Sequence, residues 1–302
     1  MAHPVIDALR SRPPGARVAL VVEGGGMRGA VSGGMALALD ELGLASAFDA
    51  AYGSSAGTLN AMWLVAGRVR DGIPTWVDPD LVGQLISRRR ALLRRGPVVD
   101  VHGLVEERYE RLSPGLFEAV LGSSVELHPI ATDVETGEAV DLHRSIADAV
   151  SLRRALRASA ALPLLAGPPV EVGGRRYLDA GLSAAIPFHA ALADGATHVL
   201  VLRSRRAGET VTAPSRLSAG LTGRALRRLS PAVETAFRTR VERETADEEL
   251  LARHADDPSL TPAIFPIRPP PGSPVPGRLE GDVELVRAGL EAGRRAAYEV
   301  LA

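Results

Sequence analysis

Two short glycine-bearing turns carry the residue types that acyl transfer needs. Gly53-Ser54-Ser55-Ala56-Gly57 fits G-x-S-x-G with Ser55 at its centre. The glycines Gly53 and Gly57 permit a sharp strand-to-helix turn that lifts a serine oxygen above the strand end, and the helix that follows presents its positive end to an alkoxide. Ser54 does not fit, because Tyr52 and Ala56 stand where it would need glycines. Upstream, Glu23-Gly24-Gly25-Gly26-Met27-Arg28-Gly29 can turn backbone N–H groups toward one point at a helix start, a nest for an anion. That anion is the oxyanion of an acyl-transfer intermediate or a pyrophosphate. Gly24, Gly26 and Gly29 also satisfy G-x-G-x-x-G, with Asp49 placed as a ribose-binding acid. A tight turn that binds nothing is the third reading.

Both turns need strands before them and helices after them. Arg17–Val22 and Phe48–Tyr52 are short apolar runs that predict buried strands, and Gly29–Leu42 and Ala56–Val69 predict the helices behind the turns. Downstream, helices are expected over 81–95, 102–121 (broken at Ser113-Pro114-Gly115), 146–160, 216–228, 232–255 and from about 280. Strands are expected over 126–133, 138–142, 170–178 (a hairpin at Gly173-Gly174), 197–202 and 263–267. Strands alternating with helices predict a mainly parallel sheet covered on both faces, in a single domain over 1–302. Neighbouring parallel strands then bring both glycine turns to one sheet edge, where serine and oxyanion donors share a site.

The serine's base is less legible. His102, His128, His143, His189, His198 and His254 follow Ser55, and none has a loop context that singles it out. A His-dependent esterase of the α/β-hydrolase kind would place its elbow further into the sheet than the second strand. Asp179 stands at the end of a hairpin strand, before Ala180-Gly181, where small neighbours let another group approach.

The bulk numbers close off other chemistries. There is no cysteine, hence no disulfide, thiolate metal site or thiol nucleophile, and all 35 basic residues are arginine, so no lysine can serve as base or Schiff base. A net charge of −1 gives no pull toward nucleic acid. The N-terminus lacks the pattern of a secretory signal, and no run of 18 apolar residues exists, so a soluble, cytoplasmic protein is expected. Arg88, Arg89, Arg90, Arg94 and Arg95 crowd one predicted helix end, either as a solvated face or as a dock for anionic lipid head groups. The segment 161–172 is either an acyl-chain groove or a buried loop.

Four blocks together, EGGGMRG at 23–29, GSSAG at 53–57, ASAALP at 158–163 and DAG at 179–181, resemble the bacterial patatin-like phospholipases, with ATDVETG at 131–137 as a further similar segment. The resemblance covers about 17–203, and 205–302 matches only loosely. It implies a three-layer α/β/α sandwich and hydrolysis of phospholipid, lysophospholipid or other acyl esters, with transient contact at a membrane surface. It implies Ser55 as nucleophile, Asp179 as sole base, Gly24, Gly25 and Gly26 as the oxyanion hole, Arg28 fixing that loop, and no metal or organic cofactor. Glu23 for Asp and Ala180 for Gly are the departures from the family pattern.

Overall fold

The computed structural model describes residues 3–93, 95–213 and 215–302. Its eight strands form one sheet: β1 Val18–Val22, β2 Ala50–Ser54, β3 Glu126–Asp133, β4 Ala139–Asp141, β5 Val170–Val172, β6 Arg175–Asp179, β7 His198–Leu202 and β8 Ala263–Ile267. The order is β5-β6-β3-β2-β1-β7-β8, with β4 paired to β3. From β3 to β8 every pairing is parallel, while β4, β6 and the β5–β6 hairpin are antiparallel.

Alternation along β1 builds the layers. Val18, Leu20 and Val22 join the core made by helices Gly29–Glu41, Ala56–Val65 and Val283–Leu301, whereas Ala19 and Val21 face the core of Phe188, Ala191 and Leu251 from helices Phe188–Ala193 and Pro231–Asp256. Side chains of period two on a twice-covered sheet must be apolar on both faces, which is why the strand reads as an unbroken apolar run. The result is the expected α/β/α sandwich.

Helix Val283–Leu301 lies against Gly29–Glu41 with backbone nearly touching backbone. A Cβ on Gly34 would stand 1.9 Å from the Leu290 carbonyl oxygen, and one on Gly293 would stand 2.0 Å from that of Val31. Only glycine permits this approach.

The expected helix over 81–95 is two pieces, Pro79–Leu85 and Arg88–Leu92. The chain turns between them because Ser87 N–H donates to the Val98 carbonyl and Arg90 ties together the carbonyls of Gln84, Leu85, Pro97 and Val98. Arg90 is thereby a clip rather than part of a free basic face, and Arg94 lies outside the described residues. Helix Ala149–Ser159 starts later than expected, where Asp148 and Ser151 form a reciprocal cap. The helix Pro4–Ser11, capped by His3, has no counterpart in the sequence reading.

Candidate active site

Ser55 sits at the turn between β2 and helix Ala56–Val65 with φ 53° and ψ −126°, a strained backbone for a residue with a side chain. The flanking glycines are required by packing. A Cβ on Gly53 would lie 2.3 Å from Thr58 Cα, and one on Gly57 would lie 2.3 Å from the Val22 carbonyl oxygen of β1. The elbow is therefore pressed against its own helix on one side and the neighbouring strand on the other. Ser55 N–H donates to Ser159 Oγ at 3.2 Å, and Ser159 shares a 2.6 Å hydrogen bond with Thr58.

Register explains how Asp179 reaches this serine. Ser54 pairs with Ile130 of β3, and Ala131 on the other side of β3 pairs with Asp179 of β6. The two residues thus end strands on either side of β3, and Ser55 Oγ donates to Asp179 Oδ2 at 2.6 Å. The other carboxylate oxygen accepts Gly181 N–H at 2.8 Å. Asp179's backbone is held by Ala161 O and Thr132 Oγ1. Ser55 is 5% and Asp179 3% exposed. Burial pushes the Asp179 carboxyl up to about 6, against opposing pulls from the Ser55 hydroxyl, the Gly181 N–H and the Arg278 charge.

The glycine loop leaves β1 beside the elbow. Gly24 packs so closely that a Cβ would lie 2.8 Å from Ser54 O, and its N–H donates to Ala185 O at 3.1 Å. Gly24 is therefore no free oxyanion donor: its amide is already occupied because the loop leans on the 183–187 turn. The N–H groups of Gly25, Gly26 and Ala56 have no acceptor among the described residues. Gly26, at φ 61°, lies against the Arg278 carbonyl, which also accepts Met27 N–H at 3.0 Å. Arg28 pairs with Glu209 at 2.8 Å and so ties the loop to the segment after β7.

A buried ionic brace stands behind the loop. Glu23 accepts from Arg203 Nε at 2.8 Å and from Ser204 N–H at 2.7 Å, while Ser204 Oγ donates to Gly24 O. Burial works to raise the Glu23 carboxyl, but Arg203, Arg205 and the Ser204 amide outweigh it and hold the group below the usual range. Arg203 in turn pairs with Glu248, and Arg205 with Glu244. The sequence reading missed Ser159, Thr132 and this brace. An Arg-Ser-Arg triplet closing an apolar strand was the available signal, since cations there demand buried acids.

Beside Ser55 opens a small apolar cavity, lined by Gly26, Ala56, Leu59, Leu85, Ile86, Val99, Val101, Leu104 and Leu162, among others. Of the 161–172 segment only Leu162 reaches it. The wall comes instead from residues 85–104, because Leu165 O is taken up by Val99 N–H and holds its loop behind that wall.

The remaining candidates lie elsewhere. Asp49 accepts Val18 N–H and pairs with Arg12 at the amino ends of β1 and β2, the edge opposite the glycine loop. This overturns the ribose-acid reading, and the Arg278 carbonyl fills the space against Gly26 that a pyrophosphate would need. No histidine hydrogen-bonds to Ser55 or Asp179 among the described residues. His128 binds Asp141 and stacks between Tyr52 and His143, His189 binds Asp247, His198 binds Thr197, and His254 meets His3. Glu126, His128 and His143 come within metal-binding reach of one another, as do His128, Asp141 and Asp194. The two imidazoles are stacked at 15°, which sends their lone pairs side by side rather than to one point.

A family model described as patatin-like phospholipase matches residues 20–192. The match spans the glycine loop, the elbow, Ser159 and Asp179, and stops short of the Arg203–Arg205 brace and Arg278. No curated protein matches the chain.

Proposed function

From the premise that the chain belongs to the patatin-like phospholipase family, whose members are serine hydrolases of lipid acyl esters, we propose that Ser55 is its nucleophile and Asp179 its only base. Ser55 Oγ attacks the ester carbonyl carbon while its proton passes to Asp179 Oδ2. The carbonyl oxygen takes the negative charge and is held by the Gly25 and Gly26 N–H groups, with Ala56 N–H a further donor. Collapse breaks the ester C–O bond, and Asp179 returns the proton to the departing alcohol. Water then attacks acyl-Ser55, giving its proton to Asp179, and the acid leaves as Ser55 Oγ is reprotonated.

The observation that carries this reading is the 2.6 Å contact between two almost fully buried side chains. A carboxylate of ordinary pKa, about 4, is a poor base for a hydroxyl. Burial makes Asp179 more basic, and helix start and glycine loop lower the cost of charge on the reacting oxygens. The cavity beside Ser55 has the lining an acyl chain prefers. Fluorophosphonate treatment followed by peptide mapping should place the adduct on Ser55; an adduct on Ser54, or none in active protein, removes the assignment.

The lip of that cavity also fits transient contact with a membrane. No helix among the described residues is long and apolar enough to cross one. Just beyond Leu85 and Ile86, however, Leu92 and Leu93 are 82% and 48% exposed, with Arg89 and Arg95 nearby in sequence. Exposed leucines among arginines suit an anionic lipid surface. In this reading the protein is cytoplasmic and works at a membrane face. Replacing both leucines with glutamate should cut cosedimentation with phosphatidylglycerol vesicles; equal cosedimentation would exclude this lip.

A further inference from the structure

Against the back of the glycine loop lies a second, solvent-open cavity, of about 320 Å³, walled by Arg28, Arg205, Arg240, Arg278, Glu209 and Glu244. Two of its four cations have carboxylate partners: Arg28 pairs with Glu209, and Arg205 with Glu244. The other two do not. Arg240 lies over the Phe237 ring and donates only to the Phe237 carbonyl, and the Arg278 guanidinium makes no hydrogen bond or ion pair among the described residues. Partial burial pushes Arg240 below the usual guanidinium value; the Glu244 carboxylate pulls the other way and the Arg278 charge adds a smaller lowering. Arg278 is exposed and Arg240 half-buried, so both guanidiniums keep donors open to a tetrahedral anion entering the cavity.

Arg278 occupies the border between the two cavities. It lines the Ser55 pocket as well as the arginine pocket, and its carbonyl is the group that receives Met27 N–H. The Ser55 pocket is otherwise apolar, so a ligand that lays an acyl chain there directs whatever lies beyond its ester toward Arg278.

We propose that the arginine cavity receives the phosphate of the substrate, a phosphomonoester or phosphodiester a few bonds from the scissile ester, and that Arg278 is the residue that selects for it. This rests on Ser55 being the nucleophile. Acyl chain and phosphate then occupy different cavities with the ester between them, over Ser55. Neutral acylglycerols lack the second anchor. Arg28 and Arg205, being ion-paired, shape the cavity, while Arg240 and Arg278 form no ion pair among the described residues and present their donors to it.

The test uses the full chain carrying Ser55→Ala and two monomeric short-chain ligands, dihexanoylphosphatidylglycerol and dihexanoylglycerol, measured by calorimetry. The phospholipid should bind ten- to a hundredfold more tightly, the usual range for a hydrogen bond to a charged group. Arg278→Gln, which keeps the backbone carbonyl that holds Met27, should remove that advantage, and Arg278→Lys should restore part of it. In the active chain the ratio of kcat/KM for the two esters should fall at least tenfold with Arg278→Gln. Equal binding of the two ligands, or an unchanged ratio in the variant, overturns the proposal. Inorganic phosphate binding as tightly as the phospholipid would also overturn it, since the cavity would then hold a free ion rather than part of the substrate. If the binding preference holds while fluorophosphonate leaves Ser55 unmodified, the phosphate pocket stands and the nucleophile assignment fails instead.

Discussion

The backbone N–H of Ser55 is bonded to the hydroxyl of Ser159, 104 positions further along, and the same hydroxyl is shared with Thr58 in the first turn of the helix behind the elbow. One side chain from a distant helix end thus fixes both the strained residue and the helix that carries it. Ser159→Ala leaves a buried N–H without its acceptor, at a cost of about 1–3 kcal/mol. Urea unfolding should show that loss, and kcat should fall more than KM rises, because the elbow rather than the acyl cavity is disturbed. A variant as stable and as fast as the parent would mean that the bond does not brace the turn.

The acid limb of kcat/KM should report Asp179. Burial raises its carboxyl to about 6, so activity on a soluble p-nitrophenyl ester should be lost as pH falls through roughly that value. An imidazole base would titrate close by, at about 6.5, so the profile needs a genetic partner. Asp179→Asn should abolish nearly all turnover, and alanine at His128, His143 or His189 should not. A folded protein silenced by one of those histidine changes, but not by Asp179→Asn, would restore the histidine reading.

The same carboxyl makes a prediction about stability with the opposite sign. Its folded value lies above the unfolded value of about 4, so its favourable contribution is complete below about pH 4, is lost between about 4 and 6, and becomes a standing cost above that. Asp179→Asn should therefore raise the unfolding free energy at pH 8 by an amount on the order of 1–3 kcal/mol, and the melting temperature with it. At pH 4 the two proteins should melt nearly together. A variant less stable at both pH values would show that the ionised carboxylate is better compensated than its burial indicates.

Glu23 behaves in the reverse way. Its folded value lies below the unfolded one, so the stability it contributes is present at neutral pH and is lost as pH falls through the acidic range. Glu23→Gln leaves Arg203 with Glu248 alone, and should cost about 3 kcal/mol, the low end for breaking a buried pair. Denaturation at pH 7 should show this loss, together with a lower kcat as the glycine loop loosens. Wild-type stability would place the brace's energy in Arg203–Glu248 instead.

Much of this architecture is legible locally. β3 and β8 run over 126–133 and 263–267, the bounds the sequence predicts, and the spacing around Ser55 excludes Ser54 without any structure. What escapes is set by distant partners. The break after Leu85 depends on carbonyls at Pro97 and Val98 that Arg90 gathers, and no helix propensity records that. The occupied amide of Gly24 depends on Ala185, and the brace on residues 180 positions from Glu23. Asp179 is an ordinary turn aspartate until register sets it across β3 from the elbow, so the residues alone leave its role open.

The glycine contact between the helices Gly29–Glu41 and Val283–Leu301, with the Arg278 carbonyl on Met27, has a consequence for how the protein is made. The loop that faces the substrate is made well before the pieces that close over it. During synthesis the nascent chain can carry Ser55 and Asp179 while the glycine loop still lacks its seat, so hydrolysis is expected to wait until residues 277–302 have been made. A chain stopped at Pro276 should accordingly stay unlabelled by fluorophosphonate, and labelling should appear when a separate peptide of residues 277–302 is added. Strong labelling of the shortened chain alone would show that the loop seats itself without its last-made partners.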